Sequence, residues 1–497
     1  MASTSAPAPH PRARAGPIVL PLALAQFIAS YAASNMNVAI STIASDLHTT
    51  VIGLQTTITL FTLTMASLMI PGSKLTDIWG RKTCFVAGLI VYGVGALLAA
   101  LAQSLGLMIF GYSLLEGIGS ALLIPPVYIL ITVTYGDVKS RAKYFGIVSG
   151  AGGLGAAAGP LIGGVVTSTI SWRASFILQV LVVAWIVVLA RKITDPPRTG
   201  RRPSFDVEGA ILSAAGLFFV VLGILLSRTY GWLTSRTDFT IGGTVLIAKG
   251  GVSPVWIFIG LGAVILAWFF LHIGFRERHG KDPLVHRRLF RNLTANLGMS
   301  TQLIQWLVLQ GSFFVTSVFL QEIWKYSAIQ TGLMLTPATA GVLLASAAAG
   351  RLARRHTQRS LIIAGFAAAL AGMGLLLGLV SKDSGPLSFV PGLFLMGTGV
   401  GVMLTSSVNV VQSSFPDADQ GDISGLSRSV SNLGSSLGTA LVGSVLVAAK
   451  LPEGKPFATS LGMLAAFTLI GLVIAVFLPR RAAGAEPGGQ PEGEPAG

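Results

Sequence analysis

The sequence predicts an all-α polytopic membrane protein, and three observations support this fold class. Of the 497 residues, 52% are hydrophobic and only 11% are charged, and the mean hydropathy is +0.73. A soluble domain carries about 25% charged residues, so this chain has too few charges to cover a water-facing surface. The apolar residues also form runs long enough to cross a bilayer, and most basic residues fall between those runs.

The apolar runs give the predicted spans. A membrane helix needs about 20 apolar residues to cross roughly 30 Å of hydrocarbon. About fourteen segments meet this criterion: 18–40, 51–73, 83–103, 105–131, 143–168, 173–190, 209–227, 255–275, 296–321, 329–349, 360–380, 387–409, 422–449 and 458–479.

The basic residues predict the orientation. If the N-terminus lies inside the cell, 25 Lys and Arg residues fall on the inner side and 8 on the outer side. This bias follows the positive-inside rule, and it predicts a bacterial-type inner (plasma) membrane protein with both termini in the cytoplasm. The net charge of +15 is then explained by topology and by contact with anionic lipids, so we expect membrane lipids as partners and no nucleic acid.

Two long polar connections, which bracket the seventh and eighth spans, divide the spans into sets of six, two and six. We therefore expect five regions: a disordered cytoplasmic tail (1–17), an N-terminal six-helix bundle (18–190), two extra spans with flanking cytoplasmic loops (191–292), a C-terminal six-helix bundle (293–479) and a disordered cytoplasmic tail (480–497). β-branched residues around Gly242 and Gly243 also indicate a small hairpin between the two extra spans.

The two six-span sets carry a degenerate repeat. SKLTDIWGRK (73–82) follows the second span, and GRLARRHTQR (350–359) follows the tenth, at an offset of 277 residues. Duplicated halves related by an axis along the membrane normal are typical of transporters. Arg354 stands where the first half has Asp77, so we expect only one strong latch.

Two motifs of soluble enzymes occur but lack their structural context. GAGGLG (150–155) matches a dinucleotide fingerprint and GSSLG (434–438) matches a hydrolase nucleophile elbow, yet both lie inside apolar spans without a strand before them. Cys84 is the only cysteine, which excludes an intrachain disulfide and a thiolate cluster. We therefore expect no enzyme activity, no cofactor and no metal site.

The fifth span contains the most informative motif, whose small residues and proline are Gly155, Gly159, Pro160, Gly163 and Gly164. Glycines four residues apart let a neighbouring helix approach closely, and a proline inside a helix favours a kink. A kinked, closely packed helix is a candidate pivot, and ordinary glycine packing is the alternative.

This GxxxGPxxGG pattern resembles the antiporter motif of the major facilitator superfamily, and LTDIWGRK (75–82) resembles the superfamily's loop motif. The division of about fourteen spans into six, two and six resembles the fourteen-span drug:proton antiporter branch. The resemblance implies the major facilitator fold, with two six-helix bundles plus two extra helices, and alternating access. It also implies that Asp77, Gly80, Arg81 and Lys82 latch the outward-facing state, although Ser73 replaces the motif's opening glycine.

Two charged residues lie inside predicted spans and are candidates for proton coupling. Glu116 lies about 12 residues into the fourth span, roughly 18 Å deep, and charged groups at this depth are costly and commonly functional. A protonated Glu116 that only hydrogen-bonds between helices is the alternative. Arg428 lies in the thirteenth span, where it pairs with an acid or extends to the surface. The basic and acidic residues that the family usually carries are replaced here by Ser113 and Ala32.

Uncharged polar and aromatic residues inside spans are candidates for lining a substrate cavity. The alternative for the polar ones is that they hydrogen-bond helices together. The candidates are Asn35, Asn37, Gln55, Phe61, Gln302, Gln305, Trp306 and Gln310, with Phe313 as a further apolar candidate. The predicted function is proton-coupled efflux of a hydrophobic or cationic small molecule by a monomeric protein. The alternatives are a lipid or amphiphile exporter, a symporter and, less favoured, a membrane enzyme or sensor.

Overall fold

Long helices that run back and forth between two faces make up the chain, as its apolar runs predict. The computed structural model describes residues 16–135, 138–193, 204–241, 244–381, 384–416, 419–448 and 455–479. The predicted terminal tails lie almost wholly outside the described residues. The α-helices are α1 (Gly16–Asp46), α2 (Val51–Trp79), α3 (Arg81–Ala100), α4 (Leu105–Met108), α5 (Gly117–Thr134), α6 (Val138–Thr169), α7 (Trp172–Ala190), α8 (Val207–Tyr230), α9 (Val255–Arg278), α10 (Leu293–Val318), α11 (Ala328–Arg355), α12 (Gln358–Leu379), α13 (Phe389–Gln412), α14 (Gln420–Ala448) and α15 (Lys455–Val476).

Shorter elements interrupt or join these helices. A π-helical segment, Ile109–Glu116, joins α4 to α5, and a second one, Phe319–Ile323, extends α10. Short 3-10 helices cover Arg287–Arg291 and Pro386–Ser388. π-helical turns inside α-helices often mark functional positions, and the first of these contains Glu116.

Among the described residues, twelve helices are long and apolar enough to cross a membrane, or thirteen if the bent helix α6 counts as one span. Helix α14 is a further long helix that is absent from this count. Serines lower its hydropathy, and those at 424, 427, 429, 431, 435, 436 and 444 are buried in the protein. The chain is therefore an all-α polytopic membrane protein, with about fourteen spans as the sequence predicts.

The described helices form two large hydrophobic cores, one built mainly by α1 to α7 and one by α10 to α15. A smaller apolar cluster joins α2, α8 and α9 to α10, α13 and α14. Helices α8 and α9 pack against each other, and α8 also packs against α2 and α14. The turn between α2 and α3 and the connection between α9 and α10 lie on the same side, which we call the basic face. The other side is called the far face. On the sequence prediction, the basic face is cytoplasmic.

The predicted hairpin between the two extra spans is confirmed. Strand β1 (Phe239–Ile241) pairs antiparallel with β2 (Thr244–Ile247). The two glycines between the strands lie outside the described residues. The hairpin lies at the far face, where α8 ends and α9 begins.

Candidate functional site

Helix α6 lies against α1 with almost no space between the backbones. A Cβ atom added at Gly155 would lie 2.1 Å from the carbonyl oxygen of Phe27, and one at Gly159 would lie 2.0 Å from Ser34 Oγ. The Ser34 hydroxyl also donates a hydrogen bond to the Gly155 carbonyl at 3.3 Å. These motif glycines therefore face α1, and any side chain there would push the two helices apart.

Helix α6 bends in the middle, and its other side packs on α11. The segments 143–156 and 158–169 meet at 40°. Pro160 explains this bend, because its ring nitrogen cannot donate to the carbonyl of Ala156 four residues earlier. A Cβ atom at Gly332 of α11 would lie 2.5 Å from the Pro160 carbonyl oxygen. We call this contact between α6 and α11 the glycine seam.

Helices α2 and α14 form a second seam between the two cores, which contains polar contacts beside apolar ones such as that of Ile70 with Ile423 and Leu426. Lys74 Nζ lies 3.3 Å from Asp422 Oδ1, and each side chain is only 7% exposed. Farther from the basic face, the Ser429 hydroxyl donates to the Ala66 carbonyl at 2.7 Å. We call this contact between α2 and α14 the polar seam.

A small central cavity lies between the two seams. It consists of two adjacent voids of about 40 and 10 Å³. Drug-sized ligands occupy sites of roughly 300–1,000 Å³, so the halves must separate to admit one. Helices α1, α2, α5 and α6 line it from one half, and α10, α13 and α14 line it from the other: Gln26, Ala29, Ser30, Ala33, Thr62, Met65, Ile124, Tyr128, Ser149, Gly152, Gly153, Ala156, Trp306, Gln310, Leu404, Val408, Arg428, Ser431, Asn432 and Ser435.

Contacts between the halves close the cavity toward both faces. Lys74 and Asp422 pair at the basic face. Toward the far face, the side chains of Ser317 and Gln321 donate hydrogen bonds to the Asn37 carbonyl at 3.4 and 3.3 Å. The two halves are therefore in contact on both sides of the cavity.

Arg428 lines both parts of the central cavity and is 9% exposed. Its guanidinium lies 4.1 Å from the ring centroid of Tyr128 in the opposite half. The Tyr128 hydroxyl donates to Gln26 Oε1 at 3.3 Å. Of the two sequence alternatives for Arg428, pairing with an acid or extending to the surface, the described contacts show neither. No carboxylate among the described residues forms an ion pair with it.

Glu116 lies inside the N-terminal core rather than in the central cavity. It is fully buried at the end of the first π-helical segment, and Tyr92 and Tyr112 are its electrostatic neighbours. Neither carboxyl oxygen has a hydrogen-bond partner in normal geometry among the described residues. The Tyr92 hydroxyl, which lies beside the carboxyl group, donates to Gln179 Oε1 at 2.6 Å. A proton on Glu116 would let its carboxyl group donate a hydrogen bond to the Tyr92 oxygen.

The residues predicted to form the latch lie around the turn between α2 and α3. Gly80 has φ of 107°, a value that only glycine adopts without strain. Lys82 Nζ donates to the Arg191 carbonyl at 3.1 Å and so caps α7 within the N-terminal core. Asp77 has three charged neighbours, Asp422 of the other half and, within its own half, Lys74 and Arg81.

The pair that joins the halves at this face, Lys74 and Asp422, was not singled out from the sequence. Lys74 lies three residues before Asp77, which places both on one helix face. Asp422 is the acid nearest the start of the thirteenth predicted span. Both signals were present in the sequence, but only the fold brings residues 348 positions apart into contact.

Of the eight predicted cavity residues, only Trp306 and Gln310 line the central cavity. Six do not, as follows. Asn35 packs against Gly163 of α6, and Asn37 lies at the far-face contact with α10. Phe61 stacks on Tyr112 with the ring centroids 4.6 Å apart, and Gln302 accepts a hydrogen bond from Ser427 at 2.7 Å. Gln305 is buried in α10, and Gln55 lies half-buried near the far-face end of α2. Phe313 belongs to the C-terminal core.

The cavity residues that sequence reasoning missed include Gln26 and Ser30 of α1 and Ser431 and Ser435 of α14. A signal for the α14 residues was available, because positions 424, 428, 431 and 435 recur at helical spacing and are all polar. That stripe indicates one face of a helix turned toward polar surroundings inside a membrane protein.

The two-bundle arrangement and the motif geometry agree with comparisons to known proteins. The model of the Major Facilitator Superfamily matches residues 22–240 and 239–439. The chain belongs to this superfamily. Human MFSD10 (TETRAN), whose crystal structure is titled as that of an organic anion transporter, shares the fold with a TM-score of 0.59 at 13% identity, covering 92% of this chain and 99% of that one.

Curated relatives match most of the chain. The multidrug resistance protein Stp of Mycobacterium tuberculosis is 25% identical over 80% of this chain and 69% of its own length. The tetracenomycin C resistance and export protein of Streptomyces glaucescens is 27% identical over 90% of this chain and 79% of the relative. The cephamycin export protein CmcT of Amycolatopsis lactamdurans is 27% identical over 93% and 92%.

Proposed function

We propose that this chain exports hydrophobic small molecules, cationic ones included on the sequence expectation, in exchange for protons. The observation that carries the proposal is the central cavity, which lies between the two halves and is lined by both. The names of the relatives, which describe resistance to or export of drugs and antibiotics, support export as the direction. We further propose a monomer in the inner membrane with both termini in the cytoplasm.

Alternating access follows from the two seams. The cavity holds only about 40 Å³ in its larger part, so substrate enters or leaves only when the contacts between the halves at one face separate. The bend at Pro160 divides α6 into two segments. One segment can move when the basic face opens, and the other can move when the far face opens. Separation of the Lys74–Asp422 pair opens the basic face, and release of the Asn37 carbonyl opens the far face.

Glu116 is the residue that we propose to carry the proton. It is fully buried in the N-terminal core beside the Tyr92 hydroxyl, with no charged partner among the described residues, and a carboxylate is costly in such surroundings. It lies close to Tyr92, whose hydroxyl contacts the backbone of Ile28 in α1 at 3.3 Å. A change in its protonation would therefore act on α1, the helix that packs against the motif glycines of α6.

Transport in proteoliposomes with an acidic lumen tests this proposal. We expect the pH gradient to increase uptake of at least one of ethidium, tetracenomycin C and cefoxitin, and Glu116→Gln to abolish the gradient-dependent part. Ethidium is a permanent cation, so a pH gradient alone does not trap it as it would trap a weak base. Glu322→Gln, at an exposed acid of the far face, is the matched control and should transport normally. Uptake that ignores the gradient, or that survives Glu116→Gln unchanged, contradicts proton coupling through this residue.

A further inference from the structure

We propose that the central cavity recognises hydrophobic anions, such as aromatic carboxylates, through the guanidinium of Arg428. The inference rests on the proposed export function, and it narrows the substrate class that the sequence left as hydrophobic or cationic.

Among the described residues that line the two voids, Arg428 alone is charged. The other lining side chains are neutral polar groups such as Gln26 and Asn432, or apolar groups such as Met65 and Ile124. A cationic substrate would meet a like charge in surroundings of low dielectric constant, where repulsion is strong. An anion would meet an opposite charge, and no other charge of the lining would compete for it.

The guanidinium also lacks the partner that a buried charge normally has. A buried charge is stable when it is paired and hydrogen-bonded, yet no carboxylate among the described residues forms an ion pair with Arg428. Its described contact is the face of the Tyr128 ring at 4.1 Å. A cation–π contact leaves the five N–H donors of a guanidinium available, and a carboxylate accepts two of them in parallel.

The remaining walls fit the hydrophobic body of such an anion. Trp306 lines both parts of the cavity, and Met65 and Ile124 line the larger part. Aromatic and aliphatic walls with a small number of placed polar groups are typical of sites for small organic ligands. The site therefore offers one charge for orientation and apolar surface for contact.

The position of Arg428 also connects anion binding to the movement of the halves. Arg428 belongs to α14, whereas Tyr128 belongs to α5 of the other half. An anion that draws the guanidinium away from the Tyr128 ring removes a contact across the cavity. Binding and separation of the halves are then energetically linked.

Matched acids and esters test the substrate class. Cefoxitin, naproxen and 1-pyrenebutyrate are each compared with their methyl esters, and dissociation constants for the purified protein are measured by microscale thermophoresis. We expect at least one acid to bind more tightly than its ester by roughly tenfold or more, since a hydrogen bond to a charged group has this effect. Arg428→Gln should remove the difference by weakening the acid, and Arg428→Lys should keep part of it.

Gln310→Ala is the control for general damage to the cavity. Gln310 lines the same space but carries no charge, so its loss should change the binding of acid and ester alike. The proposal is overturned if no acid binds more tightly than its ester, or if Arg428→Gln weakens acid and ester equally. Gradient-driven uptake of ethidium together with no preference for acids leaves export standing and rejects anion recognition. Absence of gradient-driven uptake for every compound rejects the export proposal itself.

Discussion

The polar seam and the glycine seam join the same two halves, and they differ in that the polar seam adds a charged pair and hydroxyl contacts to its close packing. In the polar seam, α2 and α14 meet through the Lys74–Asp422 pair and through hydroxyl groups such as Ser429. In the glycine seam, the backbones of α6 and α11 approach so closely that Gly332 has no room for a Cβ atom. Directional contacts form or break at defined positions, whereas close packing of small residues acts along the whole contact. We infer that the polar seam is the gate, the contact that opens and closes the basic face. The glycine seam is the pivot about which the halves move.

Loss of the gate pair should give the largest effect. Lys74→Gln leaves Asp422 buried without its cation, and breaking a buried pair costs about 3 kcal/mol or more. The loss of the pair destabilises the state in which the basic face is closed. We therefore expect N-ethylmaleimide to modify Cys at position 429, introduced as Ser429→Cys on a Cys84→Ser background, at least about tenfold faster.

Lys74→Arg is the control for this prediction, because it keeps the charge and should leave the modification rate within about twofold of the parent (RT ln 2, ~0.4 kcal/mol). An unchanged rate in Lys74→Gln would show that the hydroxyl contacts of the polar seam close the basic face without the ion pair. The Lys74–Asp422 pair would then not be the contact that distinguishes the polar seam from the glycine seam.

A single methyl group should disrupt the glycine seam. In Gly332→Ala the added Cβ meets the Pro160 carbonyl oxygen at 2.5 Å, and overpacking of this kind costs about 1–3 kcal/mol. We expect a lower unfolding temperature in detergent and slower transport, measured by differential scanning fluorimetry and by proteoliposome uptake.

Gly146→Ala in α6 is the matched substitution, since a Cβ atom there meets nothing within 4 Å. Alanine is also the better helix former by about 1 kcal/mol, so this variant should be at least as stable as the parent. Equal stability of the Gly332 and Gly146 variants would mean that the glycine seam relaxes easily and is not a close-packed pivot.

The smallest effect is expected at Lys82, which the family resemblance places in the latch. Lys82 donates to the Arg191 carbonyl at 3.1 Å, and both residues belong to the N-terminal half. Lys82→Ala should therefore lower stability by about 0.5–1.5 kcal/mol and leave the modification rate at position 429 unchanged. A rate increase comparable to that of Lys74→Gln would show that Lys82 helps to close the basic face.

The motif in α6 shows what a local sequence pattern predicts and what it does not. Glycines four residues apart predicted a close helix contact, and a proline predicted a kink; the structure has both, with a bend of 40°. The pattern did not identify the neighbours. Gly155 and Gly159 contact α1, while the Pro160 carbonyl faces Gly332 of α11, and these partners are set by the arrangement of the bundle.

The cavity residues were the least predictable part of the site. Asn35 and Gln310 are both polar residues inside spans, yet Gln310 lines the cavity and Asn35 packs against Gly163. A polar residue in a span faces the protein interior because lipid is unfavourable to it. The interior of one bundle and the space between two bundles satisfy that requirement equally well, so the sequence could not separate them.

The sequence by itself determined the class of this protein, because too little charge, long apolar runs and one-sided basic residues leave few alternatives to a polytopic helical membrane protein. Its motifs determined the superfamily. Only the tertiary structure decided that Glu116 is enclosed within one half, that Arg428 faces the cavity between the halves, and that Lys74 meets Asp422. The physical reason is that depth in a membrane follows from position along a helix, whereas the direction in which a side chain faces depends on how the helices pack.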